Sequence, residues 1–207
     1  MRGLYLVTDR RLCKDKSVEE IVLQAVKGGV SYVQLREKEM STRDFVEEAL
    51  RIKKSLTPHK VPLIINDRVD VALACGADGV HIGQGDMPYD LARRLLGPKA
   101  IIGLSVETWA DFIASQALDV SYIGVSPVFA TPTKTDTKGV WGLEGLSRIK
   151  AFSRHPLVAI GGIHEANIRE VIEAGAPCIA VVSAICSSPD PETAAGRLAR
   201  LINAALK

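Results

Sequence analysis

One rhythm runs the length of this chain and limits what it can fold into: short runs rich in Val, Ile and Leu alternate with amphipathic stretches. The runs occupy residues 4–9, 32–37, 62–67, 79–83, 101–105, 122–128, 157–162 and 178–184. Helical periodicity covers 17–27, 41–55, 67–75, 88–96, 107–117, 143–152, 164–174 and 191–206. Runs that are apolar on both faces suit strands of a parallel sheet, because crossover helices cover both of its sides. Ser17 and Ser41 stand where helix N-caps are expected, and Ser17-Val-Glu-Glu20 has the spacing of a capping box. Eight strand–helix units without a GxGxxG loop favour a closed (β/α)8 barrel, a TIM barrel, over a doubly wound sheet. The expectation is an α/β fold in one catalytic domain, residues 1–207.

Composition narrows the partners. The 26 basic residues nearly balance the 24 acidic ones, and no basic run stands out, so nucleic acid is not an expected partner. No apolar stretch approaches the ~20 residues of a membrane span. The N-terminus reads directly as a strand with no signal peptide ahead of it, and Cys13, Cys75, Cys178 and Cys186 form no CxxC pair. A cytoplasmic location with reduced thiols is expected. Apolar positions on helix surfaces would allow two barrels to pair as a homo-oligomer.

In a (β/α)8 barrel the chemistry sits where strands end and βα loops begin. On the second run, period two puts Gln34, Arg36 and Lys38 on one face and Val33 and Leu35 on the other. Two cations aimed at a barrel mouth call for an anion. The third run ends in Asn66-Asp67, where Asp67 can serve either a site or the next helix as its N-cap. The fourth ends near Asp86, flanked by glycine, and two carboxylates from adjacent strand ends suit Mg2+ completed by water and phosphate oxygens. No His/Cys cluster points to zinc, and His81 reads as a packed core histidine. Ser105 fits either a site or a helix cap. At 207 residues the chain is near the lower size limit for such a barrel, so its one long loop, 131–139, stands out. Thr131, Thr133 and Lys134 there suit phosphate or the polar edge of a heterocycle, although a merely flexible polar loop would look the same. Gly161-Gly162 and Ser183 end the seventh and eighth runs, the recurring phosphate position of these barrels. Two anion sites imply two phosphorylated ligands, or one phosphorylated at both ends. No buried Schiff-base lysine and no Ser or Cys paired with His is evident, so covalent catalysis is not expected.

Six segments carry a resemblance: Gln34-Leu-Arg-Glu-Lys38, Asn66-Asp-Arg-Val-Asp70-Val-Ala-Leu73, Gly79-Val-His-Ile-Gly-Gln84 with Asp86, Ile102-Gly-Leu-Ser105, Thr131-Pro-Thr-Lys134 and Ile160-Gly-Gly-Ile163. In this order and spacing the chain resembles the thiamine phosphate synthase family over nearly its whole length. The resemblance implies a transferase of thiamine biosynthesis. It would join hydroxymethylpyrimidine diphosphate to thiazole phosphate, or its carboxylated form, and release diphosphate. It implies that Gln34, Leu35, Arg36, Glu37, Lys38, Asn66, Ser105 and Lys134 bind the pyrimidine diphosphate. Asp67 and Asp86 would hold Mg2+, and Thr131, Pro132, Thr133, Gly162, Val182 and Ser183 the thiazole phosphate. Arg36, Lys38, Ser105 and Lys134 would be catalytic, by a dissociative route. Two rivals follow from the same scaffold: a thiazole tautomerase, and a non-catalytic relative that binds thiamine phosphate. Tautomerases carry His in place of Ser126 and lack much of the cation and metal set, which this chain keeps.

Overall fold

A computed structural model describes residues 1–131 and 138–207. Eight parallel strands close into a barrel in chain order. They are β1 (Gly3–Val7), β2 (Val30–Leu35), β3 (Leu63–Asn66), β4 (Gly79–Ile82), β5 (Ile101–Val106), β6 (Tyr122–Val125), β7 (Leu157–Ile160) and β8 (Cys178–Val181), with β8 pairing back onto β1. Each predicted run coincides with one strand, and every strand but β5 ends before its run does, because the last residues of the run turn into the βα loop.

Strand parity sorts the barrel into two packed layers. Leu4 and Leu6, Val33 and Leu35, Val80 and Ile82, and Ile179 and Val181 face outward and are buried with the helices. Tyr5, Val7, Ile64, Tyr122, Val158, Cys178 and Ala180 form a second cluster, the filling of the barrel. Removing both faces of every strand from water explains why the runs read as continuously apolar.

The surrounding helices are α1 (Val18–Lys27), α2 (Thr42–Leu56), α3 (Val69–Cys75), α4 (Tyr89–Leu96), α5 (Trp109–Ser115), α6 (Gly142–Phe152), α7 (Ile168–Glu173), α8 (Ser183–Cys186) and α9 (Pro191–Ala205). Ser17 and Glu20 form the expected capping box of α1, and Ser41 caps α2 through the backbone N–H of Asp44. The N-cap of α3 is Arg68, not Asp67, and α5 is capped by Thr108 in a box with Asp111, not by Ser105. Both site candidates are thus released from the capping role. The four-residue α8 begins inside the apolar run 178–184, which reads as strand throughout. Among the described residues no helix is long and apolar enough to cross a membrane.

Candidate active site

The carboxyl ends of the strands open on a cavity of about 1060 Å³. Gln34, Arg36, Lys38, Asn66, Asp67, Asp86, Ser105, Thr131, Gly162, Val182 and Ser183 all line it. These residues come from seven strand ends and their loops, so the barrel brings together most of the candidates that sequence reasoning names. Pro132, Thr133 and Lys134 lie outside the described residues.

One side of the mouth carries the charge. Arg36 sits against Asp9, with Nη1 3.3 Å from the carboxylate, and its backbone N–H donates to Thr8. Lys38 Nζ donates to Asp67 Oδ2 at 2.5 Å. Asp67 holds a left-handed backbone, φ 63°, and its N–H donates to the carbonyl of His81 at 2.8 Å, which ties the end of β3 to β4. Asp86 folds back so that its carboxylate accepts from the N–H of Gly83 at 2.7 Å. Burial pushes the Asp86 carboxyl above the usual range, the Gly83 N–H pulls it back, and the neighbouring Asp67 carboxylate raises it again. Two carboxylates held this close are mutually repulsive, and a divalent cation would relieve the repulsion. Among the described residues no group of three or more His, Cys, Asp or Glu side chains can hold a metal alone. The donor set therefore fits a hard ion bound by one or two carboxylates and completed by phosphate oxygens and water.

The opposite side is built from backbone. Gly161 (φ 102°) and Gly162 (φ 65°) turn the chain after β7 in a conformation that side chains resist. A Cβ on Gly162 would stand 2.7 Å from Phe129 Cβ, so the turn is packed directly against the loop after β6. Asn167 holds the turn from below, with Nδ2 donating to the carbonyl of Gly162 at 3.0 Å. Across the gap, α8 begins at Ser183, and the N–H groups of a first helical turn have no partner within the helix. Backbone N–H groups so arranged could receive an anion, as loops after the seventh and eighth strands of this fold frequently do.

Two candidates go elsewhere. Leu35 is fully buried between β2 and the helices, so its side chain does not reach the mouth. Glu37 turns away from the cavity to pair with Arg10, which also binds Glu48. Parity explains both: residues 35 and 37 lie on the outward face that places 34, 36 and 38 inside.

Some residues of the mouth escaped the sequence reading. His81 is a cavity-lining residue with Nδ1 2.9 Å from Tyr122 Oη and Nε2 2.8 Å from Ser105 Oγ, which corrects its reading as core packing. Tyr5, Tyr122, Gln84, His164, Asn167 and Lys138 line the same space. For the strand residues the missing signal was parity: His81 faces inward because Val80 and Ile82 face the helices.

The comparisons with known proteins agree with this geometry. A family model described as thiamine monophosphate synthase matches residues 4–185. The thiamine-phosphate synthase of Albidiferax ferrireducens is 58% identical over 201 residues, covering 97% of this chain and 92% of that protein. That of Vibrio campbellii is 49% identical over 200 residues, covering 96% and 97%. Among solved structures, thiamine phosphate pyrophosphorylase from Pyrococcus furiosus superposes with a TM-score of 0.91 at 37% identity, covering 99% of this chain and 97% of that one. A 3-hexulose-6-phosphate synthase, at 18% identity and a TM-score of 0.68, shows the shared barrel alone. Similarity that begins in β1, ends in α8 and takes in every described element of the mouth leads to one conclusion: the chain belongs to the thiamine monophosphate synthase family.

Proposed function

We propose that the two sides of the mouth hold the two substrates of a single transfer, hydroxymethylpyrimidine diphosphate and thiazole phosphate or its carboxylated form. The transferase activity of thiamine biosynthesis comes with the family. The observation that carries the assignment of sides is that one cavity sets Arg36, Lys38, Asp67 and Asp86 opposite the Gly161-Gly162 turn and the start of α8. The charged side takes the diphosphate and the backbone cradle takes the thiazole phosphate.

The reaction is then a heterolysis followed by capture. The bond from the pyrimidine methylene to the diphosphate oxygen breaks, and its electron pair leaves with the diphosphate. The positive charge left behind spreads into the electron-rich aminopyrimidine. The thiazole nitrogen next gives its lone pair to the methylene, which makes thiamine phosphate with no proton to remove; from the carboxylated form the carboxylate also leaves as carbon dioxide, and a proton from water takes its place. Arg36 and Lys38 face an oxygen whose charge grows as the bond breaks, so they stabilise the transition state more than the bound substrate. Lys134 joins them on the strength of the family resemblance, as Thr131, Pro132 and Thr133 join Gly162, Val182 and Ser183 around the thiazole phosphate. Asp67 and Asp86 would hold Mg2+, which would supply positive charge to offset that of the diphosphate. Asn66, Gln34 and Ser105 orient the pyrimidine, and alignment of the two reactants supplies much of the remaining acceleration. The ligands are small phosphorylated molecules, in keeping with a cytoplasmic enzyme.

Diphosphate release from the purified protein with both substrates and Mg2+ tests this reading. Release that requires the thiazole phosphate and rises with Mg2+ supports it. Binding of thiamine phosphate without any release above background sinks it.

A further inference from the structure

Five polar side chains inside the barrel form an unbroken line that the transfer, as described so far, uses only at its ends. Gln34 Nε2 donates to Tyr5 Oη at 3.1 Å, and Tyr5 Oη lies 2.9 Å from Tyr122 Oη. Tyr122 Oη lies 2.9 Å from His81 Nδ1, and His81 Nε2 lies 2.8 Å from Ser105 Oγ. The line passes from β2 through β1, β6 and β4 to β5 and so crosses the barrel floor. The sheet makes room for it. A Cβ on Gly103 would fall 2.1 Å from Tyr122 Cζ, and one on Gly124 would fall 3.0 Å from His81 Cε1. The two rings so accommodated stack, with centroids 5.5 Å apart and planes 22° from parallel.

Proton counting gives the line a sense. Tyr5 and Tyr122 are 1% and 0% exposed, and each phenol owns one proton. Burial pushes both well above the usual phenol range, so both protons stay in place. Among the described residues, Tyr5 Oη has two partners, and the Gln34 N–H already supplies a proton to one of its lone pairs. If Tyr122 also donated to Tyr5, the Tyr5 proton would be buried without an acceptor, which costs more than a hydrogen bond is worth. Tyr5 therefore donates to Tyr122, Tyr122 to His81 Nδ1, and the His81 Nε2–H to Ser105. Ser105 is left with its own hydroxyl proton for the mouth, and Gln34 with its carboxamide oxygen.

We propose that Tyr5, Tyr122 and His81 are positioning residues whose one-way chain of hydrogen bonds fixes Gln34 as the acceptor and Ser105 as the donor offered to the aminopyrimidine diphosphate. This rests on the functional reading above for the identity of the ligand. The Gln34 oxygen accepts from the exocyclic amino group, whose N–H bonds gain positive character as the diphosphate leaves. The interaction strengthens toward the transition state, so the chain acts on kcat more than on substrate binding.

The test separates the chain from the ligand. Nitrogen NMR of histidine-labelled protein, with the His81 signal assigned by its loss in His81→Gln, should show the Nε2–H tautomer. The Nδ1–H tautomer would overturn the proposed sense, whether or not the protein turns over. Tyr122→Phe and Tyr5→Phe keep the ring volume and remove one hydroxyl each. Both should lower kcat by about 10- to 100-fold with KM for the pyrimidine diphosphate changed by less than about 3-fold. Both should also shift the His81 nitrogen signals, although Tyr5 does not touch His81. Unmoved His81 signals in a folded Tyr5→Phe protein would refute the chain. A wild-type protein that releases no diphosphate but shows the predicted His81 tautomer would refute the function and leave the chain standing.

Discussion

The ammonium of Lys38 and the carboxylate of Asp67 meet at 2.5 Å, so a group expected to stabilise the leaving diphosphate is paired with a group expected to hold the metal. The Lys38 side chain is 51% exposed, and an ion pair so well hydrated is worth at most about 1 kcal/mol. Lys38 thus competes with a cation for Asp67 only weakly, and both can bind once diphosphate oxygens are present to share.

This pairing predicts opposite effects from one substitution. In Lys38→Met, divalent cation binding measured calorimetrically without substrates should tighten by roughly 2- to 5-fold, the equivalent of the lost pair. Turnover should fall by about 100-fold or more, since a charge aimed at the developing anion is gone. Equal losses in both measurements would show that Lys38 supports the metal site and not the leaving group.

Asp67 allows chemistry to be separated from backbone. At φ 63° most side chains are strained, but asparagine tolerates the left-handed region at least as well as aspartate. Asp67→Asn should therefore melt within about 2 °C of the wild type, because the lost surface pair with Lys38 contributes little. The Mg2+ concentration for half-maximal diphosphate release should rise by about 10-fold or more, one charged ligand having become neutral. An unchanged Mg2+ requirement would remove Asp67 from the metal site.

How far the sequence carried can be read from single residues. The barrel was legible because burial on both faces makes every strand a continuous apolar run, and because Ser17 and Glu20 announce a helix start within four residues. The mouth was legible where parity and strand ends coincide, as at Gln34, Arg36 and Lys38. It failed at Leu35 and Glu37, which belong to the same recognisable segment but face outward. It failed again at His81, because an isolated histidine in an apolar run gives no sign of its partners. Tyr122 lies 41 positions away, and only closure of the barrel brings the two rings together. The short α8 was hidden because Val182-Ser-Ala-Ile185 is as apolar as the strand before it.

Gly103 provides a packing test of the same interior. Its added methyl would overlap the Tyr122 ring, and the neighbouring β-strand backbone leaves the ring little freedom to withdraw. Gly103→Ala should destabilise the protein by about 1–3 kcal/mol, the usual cost of overpacking a filled core. It should also lower turnover, whereas an alanine at Gly196 in α9, outside the cavity, where a Cβ meets only the Gly28 carbonyl at 3.8 Å, should do neither. Denaturant unfolding and steady-state assays on the two variants make the comparison. A Gly103→Ala protein with wild-type stability would mean that the ring moves freely.

Glu37 yields a pH dependence unrelated to catalysis. Its carboxyl is raised above the usual value chiefly by burial, with Arg10 opposing and the nearby Glu48 carboxylate adding to the rise. In the window between the ordinary glutamate value of about 4.3 and the raised one, the folded protein binds more protons than the unfolded chain. Stability from this group therefore declines as pH rises through that window. Below the window, where Glu37 is protonated in both states, the penalty is absent. Glu37→Gln removes the charge while its amide oxygen can still accept from Arg10. Relative to the wild type, the variant should melt progressively higher as pH is raised from 4 to 8, by on the order of 2 °C at the upper end. Its turnover should stay within about 3-fold of the wild type, because the side chain faces Arg10 and not the cavity. A flat difference in melting temperature would show that Arg10 fully compensates the buried charge, and a large loss of turnover would return Glu37 to the substrate site.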